Sequence, residues 1–273
     1  MTVLELLKRQ TLEDGQGIML RAKLDGAEIL AVDKRRPATA DTKSLRKLCV
    51  SVCSGCAIGC IYCFTNGRHH YRPLTATEII EQVEALIKFA PETALTDFAE
   101  TKITFKEMGD PLLNPQAVLA TIDHLTTVKS DFHFIVSTAA PQLNLWFYEA
   151  LAQRLKTNRI RLCFSCHTTS TEERLRLNPK MKMLDLKQIS EQVRKWPGLP
   201  VTLNFIVIDG FTYDLDRLAE LFDPNRVFIK LNYFDDNEFV RKAGLKNATP
   251  ECVAKLEQEL TARGYQWSQR LRP

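Results

Sequence analysis

The sequence predicts an α/β fold in which a parallel sheet is covered by helices. Three observations predict it. From about residue 46, short apolar strand patterns alternate with amphipathic helical patterns, giving six strands each followed by a helix. Helical segments open on strong start signals: the capping box Thr75-Ala-Thr-Glu78, Asn114-Pro115 and Thr249-Pro250. The clearest strand, Val201–Ile208, is apolar and β-branched and ends at Asp209-Gly210. An open doubly wound sheet and a partial barrel both satisfy this pattern. Both place their chemistry at the C-terminal ends of the strands.

Residues 1 to about 32 read as short strands with turn signals at Asp14-Gly15 and Asp25-Gly26. Residues 33–44 are polar and read as a linker or surface loop. The expected organisation is therefore an N-terminal β-hairpin extension and linker over 1–44 and a core domain over 45–273. In the core, a strand over Lys47–Val52 precedes a helix whose apolar side is Ile79, Ile80, Val83, Leu86 and Ile87. A strand over Lys102–Met108 leads to a helix carrying Val118, Leu119, Ile122 and Leu125. Phe132–Ser137 is the third strand, with a helix after Pro141. Arg159–Ser165 is the fourth, with helical pattern over Asp185–Trp196. Val201–Ile208 is followed by a short helix marked by Leu215, Leu218, Leu221 and Phe222. Arg226–Leu231 is the sixth strand, and Val253, Leu256 and Leu260 mark the last helix.

The chain has 273 residues, 45% hydrophobic and 26% charged, ordinary for a soluble globular protein of one large or two small domains. No run of about 18 apolar residues exists, so no membrane partner is expected. The start Met1-Thr-Val-Leu-Glu-Leu-Leu-Lys8 lacks the marks of a signal peptide, which points to the cytoplasm. The net charge of +4 is weak evidence. Lys43, Arg46 and Lys47, and Arg68, His69, His70 and Arg72, are phosphate-facing candidates, with a solvated surface as the plain alternative.

Five of the eight cysteines, Cys49, Cys53, Cys56, Cys60 and Cys63, fall within fifteen residues. In a reducing compartment such a cluster suggests metal or redox chemistry. Cys56-Ala-Ile-Gly-Cys60-Ile-Tyr-Cys63 is a C-x3-C-x2-C cage. Three thiolates ligate three irons of a four-iron cluster and leave the fourth open to a small molecule. The alternative is structural zinc on Cys53-x2-Cys56 and Cys60-x2-Cys63, whose inner gap of three residues is much shorter than a zinc ribbon's. After the second core strand, Gly109 would let backbone approach a ligand and Asp110 would accept from an ammonium. Ser137-Thr138 and Ser165-Cys166-His167 offer further polar groups at later strand ends.

The order of these motifs, with Cys49-Val-Ser, Leu74-Thr-Ala-Thr-Glu-Ile-Ile80 and Met108-Gly-Asp-Pro-Leu-Leu-Asn114 between them, resembles the RlmN/Cfr-type radical methyltransferases over roughly residues 10–265. Those enzymes methylate adenine carbons in ribosomal and transfer RNA. The resemblance implies a partial (β/α)6, TIM-like barrel of the radical SAM type with a small N-terminal β extension. It assigns Cys56, Cys60 and Cys63 to a [4Fe–4S] cluster, with Tyr62 shielding it. It implies S-adenosyl-L-methionine contacts from Gly109, Asp110, Ser137, Ser165, Cys166 and His167, and from a residue after the sixth strand, Asp235 or alternatively Asn232. In relatives, the thiol at the position of Cys49 resolves a covalent protein–RNA intermediate; a packing role is the plain alternative.

The resemblance has limits. Asp110 stands where the family has Glu. The chain ends Gly264-Tyr-Gln-Trp-Ser-Gln-Arg-Leu-Arg-Pro273, without the family's methyl-accepting cysteine, and it begins without the separate RNA-binding domain. The expected function is reductive cleavage of S-adenosylmethionine to a 5′-deoxyadenosyl radical, with an electron donor of flavodoxin or ferredoxin type. RNA adenine methylation with a substitute methyl carrier is one alternative, with RNA then a partner. A non-catalytic iron–sulfur or interaction protein is the other.

Overall fold

The computed structural model describes residues 4–66, 71–90, 98–157 and 159–270, and for residue 270 the backbone alone. The chain divides into two compact units. One comprises Met1–Cys56, Arg68–Ser137 and Glu149–Ile160; the other comprises Ala57–Gly67, Thr138–Tyr148 and Arg161–Pro273.

In the first unit, β1 (Glu5–Thr11), β2 (Gly17–Leu24), β3 (Ala27–Arg36) and β4 (Leu45–Val50) form an antiparallel meander. Asp25 and Gly26 join β2 to β3 with φ of 48° and 76°. Two left-handed residues make the hairpin turn whose twist suits the flanking strands, and Asp-Gly is a preferred sequence for it. β5 (Glu100–Phe105) and β6 (His133–Thr138) then run parallel to β4. Their crossovers carry α1 (Ala76–Lys88) and α2 (Pro115–Val128), since parallel neighbours need a long connection. The Thr75–Glu78 capping box forms as expected, and Ile79, Val83 and Leu86 are buried while Ile80 and Ile87 are half-buried.

Four expectations in this unit need correction. Residues 33–36 complete β3 and are not linker. Their charge is tolerated because Asp33 and Arg46, both fully buried, bond at 2.9 Å, and Arg35 adds a contact at 3.0 Å. Arg46 is therefore a core residue. Arg72 is likewise structural: it donates to both carboxylate oxygens of Glu78 at 2.9 and 2.7 Å and to the Leu24 carbonyl at 3.0 Å. Arg68, His69 and His70 lie outside the described residues. Asn114 occupies the cap position of α2, yet its side chain makes no cap bond. Its amide donates instead to the carbonyls of Val52 (2.8 Å) and Leu74 (2.6 Å).

In the second unit, β7 (Arg159–Ser165, its first two residues in the other unit), β8 (Val201–Ile206), β9 (Val227–Asn232) and β10 (Gln266–Arg270) are parallel neighbours in chain order. α3 (Trp146–Arg154), which belongs to the first unit from Glu149 on, follows β6; α4 (Thr171–Leu177), α5 (Leu186–Lys195), α6 (Leu215–Leu221), α7 (Glu238–Lys242) and α8 (Pro250–Ala262) fall between or after the later strands. The six parallel strands β4–β9, each followed by a helix, are the expected α/β pattern. Among the described residues, β1 pairs only with β2 and β10 only with β9.

Paired residues on neighbouring strands share a face. One face is apolar and buried, with the rows Leu48–Ile103–Phe134 and Val50–Phe105–Val136 in the first unit and Leu203–Ile229 in the second. On the opposite side of these strands polar and apolar rows alternate. In the first unit this side carries the rows Lys34–Lys47–Lys102–His133 and Val32–Cys49–Thr104–Ile135. In the second it carries Ser165–Asn204–Lys230 and Ile206–Asn232.

Candidate cofactor and active site

In the first unit the site is built where β4 ends. The N–H groups of Val52 and Cys53 both donate to the Met108 carbonyl, at 2.9 and 3.1 Å, which holds the Glu107–Asp110 turn against the start of the cysteine loop. Ser51 locks the same junction, accepting from the Met108 N–H at 3.2 Å and donating to the Leu30 carbonyl at 2.6 Å. Gly109 has φ 86°, and a Cβ there would fall 2.7 Å from both Cβ and Sγ of Cys53. The glycine is thus required by its close packing on Cys53. Asp110 is buried, and its Oδ1 accepts from the Leu112 N–H at 2.9 Å, capping a 3-10 turn over Pro111–Leu113.

Cys53 is buried, and burial, followed by the neighbouring Cys56 and Asp110, raises its pKa. It also hydrogen-bonds Tyr71, whose hydroxyl is pushed up to about 12, chiefly by burial. Cys53, Cys56 and Asp110 are therefore close neighbours. Cys49 is fully buried on β4, and burial raises its thiol pKa against the opposing pull of Lys106, Lys34 and Lys47. Beside it on the same face, the buried hydroxyl of Thr104 has no hydrogen-bond partner among the described residues, a feature no sequence signal indicates. Ser137 is half-buried near the end of β6.

In the second unit, Cys60 and Cys63 are half-buried in a loop of turns. Cys60 Sγ donates to Asn178 Oδ1 at 2.9 Å, and Cys63 Sγ lies 3.0 Å from the Thr65 hydroxyl. The Ile61 N–H donates to the Leu177 carbonyl at 3.0 Å, fixing the loop to the end of α4. The Tyr62 ring meets His167 edge-on at 5.5 Å and Phe234 at 5.3 Å. Burial, then Cys60 and Cys63, hold the Tyr62 hydroxyl neutral by raising its pKa.

His167 adopts φ 64° and is 3% exposed. Its Nδ1 accepts from the Ile206 N–H at 3.1 Å, which puts the ring proton on Nε2. Burial, then Arg174, lowers its pKa to about 3, so it is a neutral donor. Cys166 is fully buried and its thiol is raised to about 12 by burial, so its side chain packs in the core. Ser165 shares a face with Asn204. Asn232 ends β9 and its amide bonds Asn204, whereas Asp235 lies exposed three residues beyond. Sequence reasoning missed Asn178, Asn204 and Arg174. A polar Asn204 inside the apolar run Val201–Ile206 is a legible signal; Arg174, in the charged stretch Thr171–Leu177, reads as a solvated helix.

All eight cysteines are described and none is disulfide-bonded. Among the described residues, no group of three or more His, Cys, Asp or Glu side chains is gathered as for a single metal ion. Zinc draws its sulfurs to about 2.3 Å around one centre. A cluster spreads its cysteine ligands over separate irons. An all-thiolate donor set on a C-x3-C-x2-C loop suits iron–sulfur chemistry.

Residues 50–222 match the family model of the Radical SAM superfamily. The chain belongs to this superfamily. Radical SAM enzymes use a [4Fe–4S] cluster and S-adenosylmethionine and need a reductant. Within the superfamily the chain is RlmN/Cfr-like. It is 28% identical over 230 residues to a probable RNA methyltransferase of Ectopseudomonas mendocina, covering 80% of this chain and 60% of that protein. It is 29% identical over 231 residues to the dual-specificity RNA methyltransferase RlmN of Syntrophobacter fumaroxidans, covering 80% and 61%. A radical SAM methyltransferase from Sphaerobacter thermophilus aligns at TM-score 0.80 and 25% identity over 99% of this chain and 78% of that one. The chain spans about 60% of the length of these two RNA methyltransferases. Among the described residues, no helix of this radical SAM protein is long and apolar enough to cross a membrane.

Proposed function

We propose that this chain cleaves S-adenosylmethionine reductively, with Cys56, Cys60 and Cys63 holding the cluster. The observation that carries the proposal is the C-x3-C-x2-C loop lying inside the segment matched to the radical SAM superfamily. When bound, the cluster supplies one electron to S-adenosylmethionine, whose cleavage yields methionine and a 5′-deoxyadenosyl radical. Gly109, Asp110, Ser137, Ser165 and His167 are the proposed cofactor contacts, with Cys166 as the backbone link between the last two. Asn232, at the end of β9, is the better placed of the two candidates beyond the sixth strand. His167 offers Nε2–H to a cofactor acceptor while Tyr62 screens the thiols beside it from water. Cys49, buried and with a raised pKa, packs in this conformation; its covalent role rests on the resemblance alone. The division into an extension over 1–44 and a core over 45–273, a cytoplasmic location and a flavodoxin- or ferredoxin-type donor belong to the same proposal.

A second reading, RNA adenine methylation, is favoured by Lys34 and Lys47, which pair in register on one face of the first unit and suit a polyanion, whereas Lys102 and His133 beyond them both contact Glu100. One incubation tests both readings. The chain is reconstituted anaerobically with iron and sulfide and supplied with dithionite, S-adenosylmethionine and RNA. The proposal expects 5′-deoxyadenosine above a Cys56→Ala control, and its absence rejects the proposal. Methylated adenine in the RNA supports the second reading.

A further inference from the structure

Arg174, on α4, is 1% exposed, and among the described residues every hydrogen-bond partner of its guanidinium is a neutral backbone carbonyl. Nε donates to Leu184 at 2.8 Å, Nη1 to Ser165 at 2.7 Å and Cys166 at 3.1 Å, and Nη2 to Ala139 at 2.5 Å. One side chain thus ties three segments: the turn at Ala139–Ala140, where Ala140 has φ 60°, the end of β7, and the strand-like stretch before α5. Only a planar fork of five N–H donors can do this; a lysine ammonium is a single point. Dipoles alone offset the desolvation of a buried cation incompletely, so its burial is expected to be matched by an anion.

The groups around Arg174 in this unit indicate which anion. Asn178, which caps α4, donates to the Arg174 carbonyl at 2.9 Å and accepts from Cys60 Sγ at 2.9 Å. Cys166, whose carbonyl Arg174 holds, is followed by His167, whose ring meets Tyr62. The guanidinium, bonded to the carbonyl just before His167, also acts electrostatically on both the His167 and the Tyr62 side chains.

We infer that Arg174 is a positioning residue and the built-in counter-charge of the cofactor site. It clamps the strand ends that present Ser165 and His167, and its positive charge answers the thiolate-ligated cluster and the carboxylate of S-adenosylmethionine. This rests on the cluster and cofactor assignment proposed above. Adding an electron to an already anionic centre is easier beside a buried cation, so the charge raises the reduction potential.

The test uses the full chain, reconstituted anaerobically, as wild type, Arg174→Gln and Arg174→Lys. The midpoint potential is read by EPR-monitored titration, and S-adenosylmethionine affinity by equilibrium binding. Arg174→Gln is expected to lower the potential by at least a tenfold change in the reduced-to-oxidised ratio, about 59 mV for one electron. Arg174→Lys keeps the potential within threefold of wild type in that ratio, because it keeps the charge. Both variants bind S-adenosylmethionine at least tenfold more weakly, because neither rebuilds the clamp. Wild-type potential and affinity in both variants, even with a lowered melting temperature, would make Arg174 merely structural and overturn the inference. A wild-type chain that takes up no iron or binds no S-adenosylmethionine overturns the functional proposal and the inference together, and it is measured first. If neither variant folds, hydrogen exchange of the loaded wild type decides. The cofactor must slow exchange at 139–140, 165–167 and 184 together, and independent responses refute the clamp.

Discussion

Gly109 and His167 are both held in left-handed backbone, for different reasons. At Gly109 any Cβ collides with Cys53, so Gly109→Ala combines backbone strain with overpacking. Denaturant unfolding of the cofactor-free chain should show a loss of roughly 1–3 kcal/mol. The glycine was legible in the sequence as a special position, but the reason was not: the contact joins residues 53 and 109, and spacing carries no trace of it. His167 is buried neutral with a pKa of about 3, below the 6.5 of an ordinary imidazole. Between those values the unfolded chain binds more protons than the folded one. The stability from keeping this ring neutral is complete above about pH 6.5 and is lost as pH falls toward 3, at up to about 1.4 kcal/mol per pH unit. Asn also tolerates left-handed backbone. His167→Asn should therefore fold and flatten the fall in unfolding free energy between pH 6.5 and 5; an unchanged slope would assign the dependence to other groups.

At the scale of elements, caps were read well and clamps were not. The Thr75–Glu78 box and the Thr249 cap use local spacing, which a sequence displays directly. Asn114 has the same local signature but spends its amide on the Val52 and Leu74 carbonyls, 62 and 40 residues away. Asn114→Ala should strand the buried Leu74 carbonyl, costing roughly 1–3 kcal/mol, and remove one of two donors from the Val52 carbonyl, which keeps the Leu74 N–H at 3.1 Å. A capping loss alone would cost only about 1 kcal/mol, so chemical denaturation separates the two roles. β3 extended past its expected end because Arg46 neutralises Asp33 from the neighbouring strand; a charged Asp-Lys-Arg-Arg stretch looks like linker until its partner is known. β10 and α7 stayed hidden because Gln-Trp-Ser-Gln-Arg has no apolar alternation and α7 is only five residues long.

At the scale of the whole molecule, the repeating strand–helix pattern and the cysteine spacing were legible, because both are periodic or local. The lysine row was not, because it exists only once register brings Lys34, Lys47 and Lys102 together. If that row meets a polyanion, Lys34→Glu with Lys47→Glu should weaken RNA retention at least tenfold and flatten its salt dependence, with 5′-deoxyadenosine formation without RNA unchanged. Equal retention by the double variant would remove the row from the functional account. The central claim is that Cys56, Cys60 and Cys63 hold a cluster with one open iron. It is tested most directly by metal analysis and EPR of the anaerobically prepared chain, before and after S-adenosylmethionine is added. The account predicts about four irons per chain, a reduced-cluster signal that changes shape with the cofactor, and loss of both in a variant with all three cysteines changed to Ala. One tightly held zinc with no iron uptake, or a signal indifferent to S-adenosylmethionine, would contradict it.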